Sequence, residues 1–150
     1  MQVPEKLQGV VRGLHHVAIA VQSLETSREF YGDALGLPAA EPELVPGQGV
    51  RVLVMSAGDV RLELVEPTSP DTPVGRFLEK RGPGIHHLAW RVDSVEDAIG
   101  VLRSHGVRMI DLTPQPGSHG TIVAFVHPAA TGGVLMELVE DPGQDGNHAH

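Results

Sequence analysis

A chain of 150 residues with 41% hydrophobic content can bury one ordinary core or two half-size modules sharing one. Its net charge of −8, with only three Phe, one Tyr and one Trp, excludes the basic, aromatic-studded face of a nucleic-acid binder. Cysteine is absent, so disulfides, thiolate metal sites and thiol nucleophiles are excluded too, and any metal must sit on His and carboxylates.

No run of about 18 uncharged apolar residues occurs, and the opening MQVPEKLQGVVRG lacks the apolar centre of a signal peptide. The sequence therefore predicts a cytoplasmic protein with no membrane partner. Residues 1–12 read as an N-terminal extension. An apolar strand follows at 14–21, then a helix from Ser23 to Gly36 with Leu24, Phe30, Tyr31, Ala34 and Leu35 as an irregular stripe. Strands are predicted at 50–56 and 60–66 around the Ala57-Gly58-Asp59 turn, and a linking helix at about 73–82 between Pro73 and Gly82. A second strand–helix pair follows at 85–92 and from Ser94 to Gly106, with Asp97 three residues after the Ser94 cap. Strands at 107–111, 121–126 and 133–140 complete the pattern, and 143–150 read as a disordered tail.

The chain repeats itself. LHHVAIAVQSLE at 14–25 aligns with IHHLAWRVDSVE at 85–96, identical at six of twelve positions, and Glu63 of RLELVEP corresponds to Glu137 of LMELVEDP. Two copies are too few and too long for a solenoid. The predicted fold is α+β: two tandem βαβββ modules, at about 13–68 and 84–142 of one domain spanning 13–142. Their curved, mixed, mostly antiparallel sheets would surround a metal-binding cleft.

Strand alternation assigns the faces. His15, Val17, Ile19 and Val21 make an apolar face for helices, leaving His16, Ala18 and Ala20 opposite. In the second copy His86, Leu88, Trp90 and Val92 leave His87, Ala89 and Arg91 opposite. Glu63 and Glu137 point away from the helix side, whereas Glu66 and Glu140, of opposite parity, read as solvent-exposed. A single His or Glu in a strand is ordinarily a packed or solvated residue. Recurrence of His16, Glu63, His87 and Glu137 at matching repeat positions argues instead for four metal ligands, since converging carboxylates without a cation would be costly. His15 and His86 read as packing or supporting residues. Two imidazoles and two carboxylates with open positions suit Co²⁺, Ni²⁺, Mn²⁺, Fe²⁺ or Zn²⁺, with Mg²⁺ a further candidate, and can stabilise an enolate. Arg91 is either a binder of a substrate carboxylate or a solvated strand-edge charge.

LHHVAIAV, FLEKRGPGIHHLAWRVD at 77–93 and PQPGSHGTIVAFVHPAATGGVLMELVE at 114–140 resemble the vicinal oxygen chelate superfamily and, within it, the methylmalonyl-CoA epimerases. The resemblance covers His15 to Glu140. It implies a glyoxalase-like fold, Co²⁺ as the favoured ion, an acyl-CoA substrate and a homodimer. The implied reaction interconverts (2R)- and (2S)-methylmalonyl-CoA by removing the C2 proton to give an enolate, with Glu137 matching a family catalytic residue. Some epimerases carry a further Glu in the strand after QGV. Here Arg51 and Val52 follow Gln48-Gly49-Val50, so either Glu63, related to Glu137 by the repeat, or a bound water is expected to act on the opposite face. A glyoxalase I-type lactoylglutathione lyase and a non-catalytic ligand-binding member of the fold are the alternatives. The loop at 114–120 has the Gly and Pro content of a cover, and His119 within it is a minor candidate.

Overall fold

Apolar residues at every second position draw Val11–Ala20 into the first strand, β1, of the structure, a computed structural model that describes residues 9–143. The expected N-terminal extension lies largely outside the described residues, and so does the expected tail from 144 onward. Helix α1 (Leu24–Arg28) follows, capped by Ser23, whose side chain accepts from the Thr26 amide. It continues into a π-helical turn at Glu29–Ala34. Strands β2 (Glu43–Val45), β3 (Val50–Ala57) and β4 (Val60–Pro67) come next, then helix α2 (Pro73–Arg81). The order repeats with β5 (Gly84–Val92), α3 (Val95–Ser104), β6 (Gln115–Pro116), β7 (Ile122–Val126) and β8 (Met136–Glu140). Two βαβββ sequences joined by a helix, as expected from the repeat, make an α+β fold.

The chain forms two compact units, one of His16–His87 and the other of Met1–His15 with Leu88–His150. In the first, the strand order is β2-β3-β4-β1, with β1 and β4 parallel and the other pairs antiparallel. Val21, Leu24, Leu53, Met55 and Leu64 pack beneath α1 on one face. On the other face Ala20, Val45, Val50, Val52 and Val65 pack with Val74, Phe77 and Leu78 of α2. In the second unit the order is β5-β8-β7-β6, with β5 and β8 parallel. Val92, Ala124, Val126 and Leu138 bury Val95, Ala98 and Ile99 of α3.

Three elements differ from expectation. Residues 107–111 make only a bridge, Met109 to Val126, because the Asp111 carboxylate accepts the Phe125 amide at 2.8 Å in place of a ladder carbonyl. Strands β2 and β6, of three and two residues, are too short to show alternation. Glu66 and Glu140 are part-buried helix caps, not solvent-exposed charges: Glu66 accepts the Leu24 amide opening α1, and Glu140 accepts the Val95 amide opening α3, each at 3.0 Å. Both amides are donors that a helix cannot satisfy internally, and a carboxylate there also meets the positive end of the helix dipole. Removing it in Glu140→Ala should lower the unfolding free energy by about 1–3 kcal/mol in a denaturant titration, with Glu140→Gln closer to wild type.

Candidate functional site

The parallel ladders position the residues singled out in the sequence. In β1/β4, His16 pairs with Arg61, and two residues on Ala18 pairs with Glu63. In β5/β8 the residue two past His87, Ala89, pairs with Glu137. Residues two apart share a strand face, so each ladder sets a carboxylate on the face of its own His. Both intervening alanines are fully buried, and a methyl group there leaves the His and Glu side chains their room.

Within the His16–His87 unit, three of the four expected ligands meet. His16 Nε2 lies 3.3 Å from His87 Nε2. The other nitrogen of His16, Nδ1, lies 3.2 Å from Glu63 Oε2. The other nitrogen of His87, Nδ1, lies 2.9 Å from Nδ1 of His86, whose ring stands edge-on to Phe77 of α2 at 5.0 Å. All three expected ligands are buried, Glu63 to 6% exposure. Glu137 belongs to the other unit, where it is 3% exposed on the face of Ala89 and opposite Phe125.

This donor set fits a divalent ion. Two nitrogens bound to one ion at ordinary bond lengths stand about 3.0–3.4 Å apart in octahedral or tetrahedral geometry, and the His16 and His87 Nε2 atoms have that spacing. Glu63 on Nδ1 of His16 places the proton there and the lone pair on Nε2, as carboxylates commonly do behind a metal-binding imidazole. Nitrogen and oxygen donors without sulfur suit a hard or borderline cation. Sequence parity placed Glu63 beside His16 but could not show which imidazole nitrogen it meets.

The remaining candidates have contacts or packing of their own. Arg91 Nη2 donates to the backbone carbonyl of Arg12 at 3.2 Å. Val52 is 2% exposed among the valines beneath α2, a packing residue with no proton to give. His119 sits in the β6–β7 turn with φ of 53°, in the left-handed region that is rare for a residue with a side chain. The Thr121 hydroxyl closes that turn by donating to the Ser118 carbonyl at 2.7 Å. His15 is more than packing: its Nε2 lies 2.7 Å from Asp141, with both side chains buried. Asp141 falls one residue past β8, beyond the reach of strand alternation, and the sequence reading missed it. Removing the carboxylate takes a hydrogen-bond partner from a buried ring, so Asp141→Ala should cost roughly 1–3 kcal/mol of stability, read from the midpoint of chemical unfolding.

Comparison with known proteins agrees with this geometry. Residues 15–125 match the model of the Glyoxalase/Bleomycin resistance protein/Dioxygenase superfamily. The mitochondrial methylmalonyl-CoA epimerase of Bos taurus is 39% identical over 83% of this chain and 72% of its own length. The crystal structure of methylmalonyl-CoA epimerase from Mycobacterium tuberculosis superposes with a TM-score of 0.86 at 35% identity, covering 97% of both chains. A variant of the Streptomyces coelicolor methylmalonyl-CoA epimerase in complex with 2-nitronate-propionyl-CoA superposes at 0.83 with 35% identity, covering 86% of this chain and 94% of that one.

Proposed function

Because the chain belongs to the Glyoxalase/Bleomycin resistance protein/Dioxygenase superfamily, and within it to the methylmalonyl-CoA epimerases, we propose that it interconverts (2R)- and (2S)-methylmalonyl-CoA. The observation that carries this reading is the buried pair of facing imidazole nitrogens on His16 and His87, with Glu63 behind one of them, in a chain whose relatives bear that enzyme's name.

The proposed ligands are His16, Glu63, His87 and Glu137, with Glu63 leaving the Nδ1 of His16 when the ion enters. Repetition of the His-x-Ala register against Glu in both parallel ladders supports the set. A divalent ion there, Co²⁺ in this proposal, would supply charge that steadies the enolate oxygen. The chain's own residues handle the proton. C2 of methylmalonyl-CoA lies between a thioester and a carboxylate, so its proton is acidic, and inversion needs one group to take it and another to return it on the opposite face. Glu137 takes the first role and Glu63 the second, each through a carboxylate oxygen in surroundings dry enough to strengthen its electrostatics. Arg91 is proposed to pair with the substrate carboxylate. No described helix is long and apolar enough to cross a membrane, and a cytoplasmic homodimer is the proposed working form.

The test follows the C2 proton. Incubated with Co²⁺ and methylmalonyl-CoA in D₂O, the protein should exchange that proton for deuterium and equilibrate the epimers. His87→Ala should lower the rate by at least about a hundredfold, since an ion held by one ligand fewer gives little of its electrostatic stabilisation. Absence of exchange with the ion demonstrably bound would overturn the substrate assignment. Glu63→Gln should retain an oxygen ligand but lose the proton-transfer role, so turnover at the wild-type rate would remove Glu63 from that role.

A further inference from the structure

Among the described side chains, His86 makes a contact that the proposed reaction does not use. It precedes His87 in β5, and its Nδ1 lies 2.9 Å from the Nδ1 of His87. Its ring is held at 5.0 Å and 80° against Phe77, and the Arg81 guanidinium lies 5.7 Å over the same Phe77 ring. Glu63 at the Nδ1 of His16 forms the corresponding contact on the other imidazole.

Proton bookkeeping gives this contact a direction. For His16 and His87 to present lone pairs from both Nε2 atoms to one cation, each neutral ring must carry its proton on Nδ1. His16 can donate that proton to Glu63 until the carboxylate moves to the ion. The group standing 2.9 Å from the Nδ1 of His87 is the Nδ1 of His86, and it can accept that ring's proton. His86 must then be the tautomer with its proton on Nε2. We propose that His86 is a positioning residue for the metal centre, its Nδ1 accepting the Nδ1 proton of His87 and so fixing that ligand's tautomer and ring plane. As the rings stand here they meet chemically different groups, a carboxylate at the Nδ1 of His16 and an imidazole at the Nδ1 of His87. The contact with Phe77 ties the His86 ring to α2, and through it the orientation of a ligand on β5 depends on a helix that contributes no ligand.

This inference rests on His16 and His87 being ligands, and the experiment separates the two claims. Co²⁺ binding is measured by calorimetry and by the visible absorption of the ion, with circular dichroism confirming that each variant folds. The variants are His86→Asn, whose side-chain oxygen can stand where Nδ1 stood, and His86→Phe, which keeps an aromatic ring against Phe77 but has no acceptor. Wild type should bind Co²⁺. His86→Phe should bind about 10–100-fold more weakly with an altered absorption band, the usual consequence of losing a partner behind a ligating imidazole, and His86→Asn should recover most of the affinity. A His86→Phe protein that matches wild type in affinity and spectrum overturns the proposal. Equal loss in both variants also overturns it, because packing rather than hydrogen bonding would then be what His86 provides. Wild type that binds no Co²⁺ removes the ligand assignment itself, and the positioning role with it.

Discussion

A buried carboxylate is tolerated only where something offsets its lost hydration, and in this protein a strand register decides where each one goes. β4 carries Glu63 to the face of His16 and Glu66, three residues later, to the face of α1, where it accepts the first helical amide. β8 does the same with Glu137 and Glu140, the latter accepting the first amide of α3. A slip of one residue would turn both carboxylates of a strand onto the wrong faces at once. It would set Glu63 among the leucines beneath α1 and leave the helix amide without its acceptor. The cap and the candidate ligand therefore enforce the same register from opposite sides of the sheet.

The fully buried alanines belong to the same constraint. A larger residue at 18 or 89 would occupy the surface between a His and the Glu of the neighbouring strand. Beyond Ala18, the same face becomes apolar: Ala20, Val45, Val50, Val52 and Val65 pack under Val74, Phe77 and Leu78. That floor excludes water near the polar cluster, and charge interactions in such surroundings are stronger than they would be at an exposed rim. The cluster's attraction for a cation then comes from a few placed carboxylates and not from the surface at large.

Much of this was legible in the sequence because two independent periodicities coincided. Alternation in β1 and β5 sorted His15 from His16 and His86 from His87, and the internal repeat set the sorted pair, with its Glu, at matching positions of both copies. The features that escaped have local causes. Glu66 and Glu140 read as solvent-exposed because alternation gives a face but not the helix end waiting on it. Asp141 lay outside any strand, so nothing in the pattern joined it to His15, 126 residues away. The first helix looked irregular because it passes from α to π geometry after Arg28, which shifts the spacing of its apolar residues. The short segment 107–111, with Val107, Met109 and Ile110, looked like a strand, and only the Asp111 side chain, bonded to the Phe125 amide, shows why the ladder stops.

The two histidines read from the sequence as packing or supporting residues both make polar side-chain contacts. His15 is held by Asp141 in one unit, and His86 meets His87 in the other. A doubled His-His is useful at this place in a strand because its members face different surroundings while remaining covalent neighbours. One ring can then serve a ligand while the next is anchored to structure, by a carboxylate in the first copy and by a phenyl ring in the second. The duplicated backbone thus preserves the positions of the candidate ligands, while the residues behind them have diverged. That divergence makes the two halves chemically unequal, which suits a reaction that must treat the two faces of one carbon differently.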